Sequence, residues 1–578
     1  MTGSNRASSA GVPSGEPLPG HVDVLVVGAG LSGVGMAARL LRDFPRRTLA
    51  VVEARQAMGG TWDLFRYPGV RSDSDMFTLG YADRPWRDRR SIAPGAAIRD
   101  YVRDTADETG VAERVRYGHR VVAADWSSAD ARWTVEIDVD APPAGGASDG
   151  SDGSDGSAGS ADRSVGAHRL TVTCGVLVAC SGYYRYDEGY TPTFTGQQDF
   201  AGTLVHPQHW PADLDVTGRR VVVIGSGATA ITLVPALAEQ AEHVTMLQRS
   251  PTYVLSLPSE RKRPRPWRRL LPRSVDDRLV RWRSVGMALL SYQASRRSPE
   301  RMKAFLRSGV ERRLPEGFDV DRHFQPSYDP WDQRLCITPD GALFRALRSG
   351  SASIVTDGVE RRLPEGFDVD RHFQPSYDPW DQRLCITPDG ALFRALRSGS
   401  ASIVTDGIER FVPEGVAVEG RDGQEARVVP ADVVVTATGL NLLLFGGMRL
   451  SVEGAVVDPA TKLTYKGFML ADVPNFAFAI GYTNASWTLK IDLVGRYLSR
   501  LLRHLDRRGL RWAVPTAPRR TGRTMPLIDL SSGYVARGEH LLPRQGGRAP
   551  WRMHQNYPRD VWAMRFSSLT RDGMRFGR

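Results

Sequence analysis

Two stretches of the chain repeat one pattern of apolar and glycine positions. Residues 22–41 (VDVLVVGAGLSGVGMAARLL) and 219–238 (RRVVVIGSGATAITLVPALA) each consist of an apolar run, a glycine turn and a longer run of helical length. A short apolar run that ends at glycine is typical of a buried parallel strand. The pattern therefore predicts an α/β fold with two Rossmann-like dinucleotide-binding domains.

The first turn has the spacing G-x-G-x-x-G through Gly28, Gly30 and Gly33, and Glu53 ends the next apolar run. The glycines allow a tight turn and let a pyrophosphate approach the helix N-terminus, while the acid accepts a ribose hydroxyl. The glycines alone are weak evidence. Together with the strand, the helix and the acid at this spacing, they indicate a dinucleotide site.

The second turn has Gly225, Gly227 and Ala230 at the same positions, but Arg249 replaces the acid. A guanidinium there pairs with a 2′-phosphate, which favours NADPH over NADH, and a surface arginine is the alternative interpretation. Two dinucleotide folds in one chain predict FAD and NADPH held face to face.

Two further strand-like runs, RWTVEIDV (132–139) and HRLTVTCGVLVAC (168–180), flank a stretch rich in Gly, Ser and Asp. Because long loops cost little entropy, we expect a hairpin with a lengthened tip. The late run VVVTATGL (433–440) is similar to the segment that returns the chain to the FAD domain in two-dinucleotide flavoproteins. A buried strand with a glycine turn is the alternative.

Residues 311–359 recur at 360–408 with a single difference, Val359 against Ile408. Solenoid folds need several diverged copies that stack, so this pair indicates a tandem duplication or an assembly error. Only one copy can occupy one pocket, and we expect the other to be extruded. The strand at 401–408 runs into ERFVPEGVAVEG, its expected hairpin partner, which favours the second copy as the one in place.

Length and composition limit the classes of protein to which this chain can belong. The 578 residues suffice for about three to four domains, and no run approaches the ~18 apolar residues of a membrane-spanning helix. The first twenty residues lack the apolar core of a secretory signal. The four cysteines show neither CxxC nor metal-ligand spacing, so we expect a reducing cytoplasm, no metal site and no redox disulfide.

The net charge of +11 reflects an arginine bias, because only five of the 76 basic residues are lysine. The densest basic run, Arg261–Ser284, favours amphipathic helices with a solvated basic face, and contact with phosphates or with a membrane surface is the alternative. We expect no nucleic-acid partner, because no nucleic-acid-binding module is recognisable.

Two segments carry a family resemblance. Gly60–Asp73 (GTWDLFRYPGVRSD) matches G-x-W-x-x-x-x-Y-P-G-x-x-x-D, and Phe200–Pro211 (FAGTLVHPQHWP) matches F-x-G-x-x-x-H-x-x-x-W-P. In both, the chain resembles type I Baeyer–Villiger monooxygenases, and the second pattern separates these from general flavin monooxygenases. The resemblance extends from about residue 21 to about residue 560. The resemblance does not include the leader, the 141–161 insertion or the extra repeat copy.

The resemblance implies an enzyme that uses FAD, NADPH and O2 to convert ketones to esters or lactones through a C4a-peroxyflavin. The protonated form of the same oxidant oxygenates sulfur in sulfides and thioamides. An arginine in PWDQRLC, either Arg334 or Arg383, would hold the peroxide anion, since its guanidinium keeps its proton. Asp73 would orient that arginine, and a capping aspartate is the alternative. His206 and Trp210 would belong to a domain hinge rather than to the chemistry.

The resemblance also implies cofactor contacts. The residues expected at FAD, besides the first glycine turn, are Ser32, Glu53, Thr61, Trp62, Asp63, Leu64, Asp73 and Val121. Those expected at NADPH are Arg71, Ser72, Gly225, Ser226, Gly227, Ala228, Thr229, Ala230, Gln248 and Arg249. The substrate pocket is expected to use 441–448 (NLLLFGGM) and Trp487, which are apolar and expected near the flavin.

The predicted organisation follows. It comprises a disordered leader (1–20), a first FAD-binding part (21–140), a low-complexity loop (141–163), an FAD-domain strand and hinge (164–185), an NADP-binding domain with both repeat copies (186–410), a second FAD-binding part (411–560) and a tail (561–578).

Three rival functions stay open: a heteroatom oxygenase without Baeyer–Villiger activity, an uncoupled or non-catalytic flavoprotein disabled by the duplication, and a distant third, a nucleic-acid binder.

Overall fold

The structure is a computed structural model. It describes residues 17–140, 168–248, 254–255, 259–260, 271–297, 385–386, 391–392, 395, 398–420, 425–483, 485–518, 522–528 and 533–578. Within these ranges the chain forms two parallel sheets with helices packed against them, and smaller antiparallel sheets join or cover the two. The fold confirms the predicted α/β class with two Rossmann-like domains.

The described strands are, in chain order, β1 His21–Val27, β2 Leu49–Val52, β3 Val115–Arg116, β4 His119–Ser127, β5 Arg132–Val139, β6 His168–Ala179, β7 Tyr184–Gly189, β8 Thr203–Val205, β9 Arg220–Ile224, β10 His243–Gln248, β11 Val254–Leu255, β12 Cys385–Ile386, β13 Ala401–Thr405, β14 Ile408–Val412, β15 Gly415–Val418, β16 Arg427–Pro430, β17 Val433–Thr436, β18 Leu440–Leu442, β19 Arg449–Val452, β20 Ala455–Val456, β21 Thr464–Tyr465, β22 Met469–Leu470, β23 Phe476–Phe478, β24 Trp512–Pro515, β25 Met525–Pro526, β26 Arg544–Gln545 and β27 Met574–Gly577. The α-helices are α1 Leu31–Asp43, α2 Thr61–Leu64, α3 Met76–Leu79, α4 Gly95–Glu108, α5 Ala228–Leu237, α6 Arg273–Arg297, α7 Trp487–Arg508, α8 Gly533–Gly538 and α9 Tyr557–Phe566.

The first sheet has the order β20-β19-β4-β5-β6-β1-β2-β3, and β23 pairs with the end of β6. Its centre is parallel, with β1 between β2 and β6, and β1 is apolar and almost wholly buried because helices cover its outer face. β5 and β6 pair antiparallel with Val139 opposite His168. This pairing confirms the predicted hairpin, whose tip at 141–163 lies outside the described residues.

The second sheet has the order β13-β10-β9-β17-β8 and is parallel throughout. The antiparallel sheet β14-β15-β16 packs on it through a core that includes Phe411, Val416 and Val434. The predicted boundary at 410 is therefore wrong, because these strands and β17 belong to the second domain. The chain returns to the first domain only after Thr436, within the run 433–440 that was expected to make this return.

The C-terminal residues are part of the fold. The helix α9 packs against α7, and β27 pairs antiparallel with β24, so that Met564 and Met574 enter the main core of the first domain. The prediction of a separate tail at 561–578 is wrong, because Met564 and Met574 are buried in this core.

The second repeat copy supplies described strands of the second domain. Its residues Ala401–Thr405 form β13, which pairs in parallel with β10, and Cys385–Ile386 pair with β11. The first copy lies outside the described residues. The expected hairpin between 401–408 and the following segment is wrong, because β13 ends at Thr405 and the hairpin that follows joins β14 to β15.

The arginine-rich region continues into α6, whereas 261–270 lie outside the described residues. Arg281 on this helix is largely buried and pairs with Asp492 of α7 at 2.8 Å. The opposite face exposes Leu279 and Trp282, so that it is not purely basic. Among the residues that the structure describes, no helix combines the length and the apolar composition needed to cross a bilayer.

Candidate functional site

The first glycine turn leaves no room for side chains at two of its positions. Gly28 has φ +102°, and a β-carbon there would lie 2.7 Å from the carbonyl oxygen of Cys180. A β-carbon on Gly33 would overlap the carbonyl oxygen of Gly28. The turn and α1 therefore approach each other as closely as backbones can, as a turn that admits a pyrophosphate requires.

The helix α1 presents its N-terminus to this turn. Gly30 is the N-cap, and no side chain caps the first turn of the helix. Backbone N–H groups at such an end bind anions, because they lack partners within the helix and carry the positive end of the helix dipole. This end of α1 fits the pyrophosphate of a dinucleotide.

Glu53 follows β2 and lies beside the turn, as its spacing predicts. One carboxylate oxygen accepts the N–H of Ala29 at 2.7 Å, and the other accepts the N–H of Arg55 at 3.0 Å. Burial raises the pKa of Glu53, while these two N–H groups act in the opposite direction. Each oxygen keeps a second lone pair, so the carboxylate can also accept ribose hydroxyls.

A cleft that is partly open to solvent lies along these residues. Its lining residues are Val27, Gly28, Gly30, Val52, Glu53, Ala54, Arg55, Gly60, His119, Arg120, Val121, Cys180, Ser181, Tyr184, Tyr186, Asp187, Leu443, Phe445 and Gly446. Val121 is one of these lining residues, and its contact with FAD stays a prediction. The turn and the acid fit the adenosine and pyrophosphate parts of FAD.

Gly59 and Gly60 form a second wall of the cleft, which Gly60 lines directly. The N–H of Gly59 donates to the carbonyl oxygen of Ala29 at 3.1 Å, and Gly60 packs on Gly30. Thr61, Trp62 and Leu64 follow this wall, are partly buried and do not line the cleft, so their contacts with FAD stay predictions.

Asp63 differs from its predicted role. Its side chain is 1% exposed and does not line the cleft. It pairs with Arg55 at 2.8 Å and with Arg103 at 3.0 Å. The carboxylate therefore fixes Arg55, which does line the cleft, and the expected direct FAD contact is replaced by this ion-pair cluster.

The remainder of the first motif reaches the second domain. Tyr67 packs against the core of the second domain, and Gly69 packs against Thr232 of α5. Burial raises the pKa of Tyr67 to about 12, and the nearby charge of Asp73 adds to the effect. Asp73 is partly buried, and because its charge acts on Tyr67, it lies near the contact between the two domains.

Arg71 and Ser72 precede Asp73 at this junction. Ser72 is fully buried, and both its N–H and its hydroxyl take part in hydrogen bonds with the backbone of Ala93. Its side chain therefore holds the loop rather than facing a coenzyme. Arg71 is partly buried and forms an isolated backbone bridge with Pro94.

The second turn repeats the course of the first with a looser fit. Gly225 has φ +134°, and a β-carbon there would lie 2.5 Å from the carbonyl oxygen of Ala437. Gly227 caps α5 without a side-chain hydrogen bond, and a β-carbon on it would meet no described atom within 4 Å. Ala230 is fully buried, and its methyl group fits between helix and strand. Ser226, Ala228 and Thr229 complete this anion-binding end.

The expected 2′-phosphate end is described only in part. Gln248 ends β10, is 2% exposed, and its carbonyl oxygen accepts the N–H of Asp406 at 2.9 Å. Arg249, together with Arg334 and Arg383, lies outside the described residues. The roles assigned to these three arginines stay predictions.

The segment Phe200–Pro211 lies at the crossing between the domains. The chain leaves the first domain through β7 and returns through β18, and the two strands pair antiparallel. His206 packs against Gly189 at the end of β7, and its Nε2 lies 3.3 Å from the carbonyl oxygen of Gly439, just before β18. Burial lowers the pKa of His206, and these contacts agree with a structural hinge role.

Part of the expected substrate pocket borders the first cleft. Leu443, Phe445 and Gly446 line this cleft together with Glu53, and a contact of 441–448 with substrate stays a prediction. Trp487 donates its indole N–H to the hydroxyl of Ser32 at 2.8 Å and stacks on Tyr183. Its position next to α1 agrees with a place near the cofactor.

Several residues that line the first cleft were not predicted from the sequence. They are Arg55, Arg120, Tyr184 and Tyr186. Arg55 lies two residues after Glu53, and the two tyrosines lie in the run SGYYRYDEGY directly after β6. Position next to a glycine turn or next to a strand end is the only signal that could have found them.

Comparison with known proteins agrees with this geometry. Residues 160–303 match the flavin-binding monooxygenase-like family, and 26–85 match the NAD(P)-binding Rossmann-like domain. The chain is 43% identical over 559 residues to the FAD-containing monooxygenase EthA of Mycobacterium tuberculosis, covering 96% of this chain and 98% of that one. This chain belongs to the FAD-containing monooxygenase family.

Further similar proteins support the same family assignment. The putative FAD-containing monooxygenase MymA of M. tuberculosis is 44% identical over 546 residues and covers 94% of both chains. Among solved structures, a steroid monooxygenase bound to NADP aligns with a TM-score of 0.65 at 20% identity, over 96% of this chain and 100% of that one. An open cyclohexanone monooxygenase aligns with a TM-score of 0.65 at 18% identity, over 97% and 100%. Family membership confirms the predicted class, a flavin monooxygenase with FAD and NADP(H) as cofactors.

Proposed function

We propose that this chain is an NADPH-dependent Baeyer–Villiger monooxygenase, which inserts one oxygen atom of O2 into ketones to give esters or lactones. It also oxygenates sulfur in sulfides and thioamides. The observation that carries the proposal is the course of 60–73, where one motif lines the first cleft through Gly60 and packs on the second domain through Tyr67 and Gly69.

The residues that would hold FAD are the turn Gly28–Gly33, Glu53 and Thr61, and those that would hold NADPH are the turn Gly225–Ala230, Gln248 and Arg249. FAD bound there would supply the redox chemistry that links NADPH to dioxygen. The chain's task is to hold the two cofactors at one junction, which turns their encounter into an intramolecular step.

The chain also has to stabilise negative charge on the activated oxygen. A guanidinium suits this task, because it keeps its proton and acts most strongly where water is excluded. Arg383 is the better candidate of the two repeat copies. Its copy supplies β12, which starts at Cys385 and pairs with the segment after β10, and β13 in the second sheet. Asp73, beside the junction, is the group proposed to orient this arginine.

The main rival is a flavoprotein that oxidises NADPH and releases hydrogen peroxide. The proposal is tested with the purified holoprotein, recycled NADPH, and a panel of aliphatic, cyclic and aryl ketones and sulfides. We expect esters, lactones and S-oxides in amounts close to the NADPH consumed. Hydrogen peroxide equal to the NADPH consumed across the whole panel would establish the rival instead.

A further inference from the structure

Tyr186 lies where the first cleft meets the crossing between the domains. It belongs to β7, lines the cleft, and shares a hydrogen bond of 3.1 Å with the side chain of Thr61. A β-carbon on Gly60 would lie 3.4 Å from its phenol oxygen, so the phenol is in contact with the second wall.

That wall is joined to the glycine turn on its other side. Gly59 donates its N–H to Ala29 within the turn, and Gly60 packs on Gly30. The wall thus lies between the turn and Tyr186. The distance between the wall and the rest of the cleft therefore depends on where β7 holds the phenol.

Gln208 fixes that strand. Its side-chain amide donates to the carbonyl oxygen of Arg185 at 3.0 Å and to that of Tyr186 at 2.8 Å. Its own N–H donates to Nδ1 of His206 at 3.1 Å, and its side chain is 2% exposed. A buried amide that binds two successive carbonyls leaves the strand little freedom to shift. Gln208 occupies an unspecified position of the second motif, so the family resemblance gives it no role.

We propose that Tyr186 is a positioning residue for FAD, and that Gln208 holds it in place from the segment Phe200–Pro211. Through this pair, a segment expected to serve the hinge also shapes the first cofactor site. The proposal rests on the proposed function only in taking the first cleft as the FAD site.

The test measures the dissociation constant of FAD with apoprotein, from the quenching of flavin fluorescence. Tyr186→Phe removes one neutral hydrogen bond and should weaken FAD binding about two- to tenfold. Gln208→Met, which removes both amide donors at similar volume, should have an effect of the same size. Thr61→Val should match Tyr186→Phe, and the double variant should lose no more than either single one.

Tyr465→Phe is the matched control. Tyr465 shares a hydrogen bond of the same 3.1 Å length with Tyr497 in the core, but it does not line the cleft. Its FAD dissociation constant should stay within about twofold of wild type, even if its thermal stability falls. Wild-type affinity in Tyr186→Phe, equal losses in the two tyrosine variants, or additive losses in the double variant would each overturn the proposal. Because no NADPH, oxygen or substrate is present, a failed oxygenation assay leaves this result unaffected.

Discussion

The two glycine turns follow the same course but differ in how closely they are enclosed. In the first, a β-carbon on Gly33 would overlap the turn, and Gly60 of the second wall packs on Gly30. In the second, the third position is Ala230, and a β-carbon on Gly227 would meet no described atom within 4 Å. Among the described residues, the first helix end is therefore walled and the second is more open. We expect the walled end to hold a cofactor that stays bound and the more open end to hold a coenzyme that exchanges in each cycle.

The variant Gly33→Ala, matched with Ala230→Gly, should have the largest effect and tests the difference in enclosure between the two turns. The added methyl group in the first turn must displace backbone, which costs about 1–3 kcal/mol or more, and should leave protein that retains little FAD. Ala230→Gly should cost only about 0.5–1 kcal/mol and keep the FAD. Flavin content after gel filtration and thermal unfolding measure both. A yellow Gly33→Ala protein of normal stability would show that the first turn is not tightly enclosed.

The next test concerns the charge at the junction of the two sites. Arg383→Ala should lower ester formation by about 10²–10³-fold while NADPH is still consumed, because one preorganised charge partner is lost. Arg334→Ala is the control and should form ester at close to the wild-type rate. Loss in Arg334→Ala alone would reverse the assignment. Full activity in both variants would exclude this arginine as the stabilising group.

Arg249→Ala sharpens the difference between the two ribose ends. Loss of a charge-assisted pair with a phosphate costs about 1.5–3 kcal/mol, so the KM for NADPH should rise about ten- to a hundredfold. The KM for NADH should change little, and steady-state kinetics with the two coenzymes give both values. An equal loss with both would assign Arg249 to the fold instead.

The smallest effect is expected from deleting 360–408. Because the copies differ only at Val359 and Ile408, the deletion produces the same junction as removal of 311–359, apart from that residue. The shortened chain should fold at least as stably and form ester within about twofold of the full chain. Thermal unfolding and product formation measure this. Loss of FAD or of the fold would mean that both copies are structurally required.

Local spacing was enough to predict the parts of the fold that depend on it. Glu53 lies at the first turn because strand, turn and helix have nearly fixed lengths, and β5 pairs with β6 because both alternate in polarity. The boundary at 410 was misplaced because β17 is an apolar strand like those of either sheet. The apolar character of a strand does not indicate which of two sheets it joins.

The site shows the same limit. The sequence predicted that Asp63 contacts FAD, but in the fold its carboxylate forms ion pairs with Arg55 and Arg103. Tyr186 meets Thr61 across more than a hundred residues of chain, and no local pattern predicts such a contact. Residues that bind through backbone geometry were thus predictable, whereas residues brought in by the crossing strands were not.

Isotope labelling tests whether the two turns couple NADPH oxidation to oxygen insertion. The holoprotein is supplied with cyclohexanone, NADPH and ¹⁸O2, and the label in the lactone is determined by mass spectrometry. We expect one ¹⁸O atom per lactone, located in the ring, and close to one NADPH consumed per lactone. Unlabelled lactone, or labelled hydrogen peroxide that accounts for all the NADPH, would contradict this expectation.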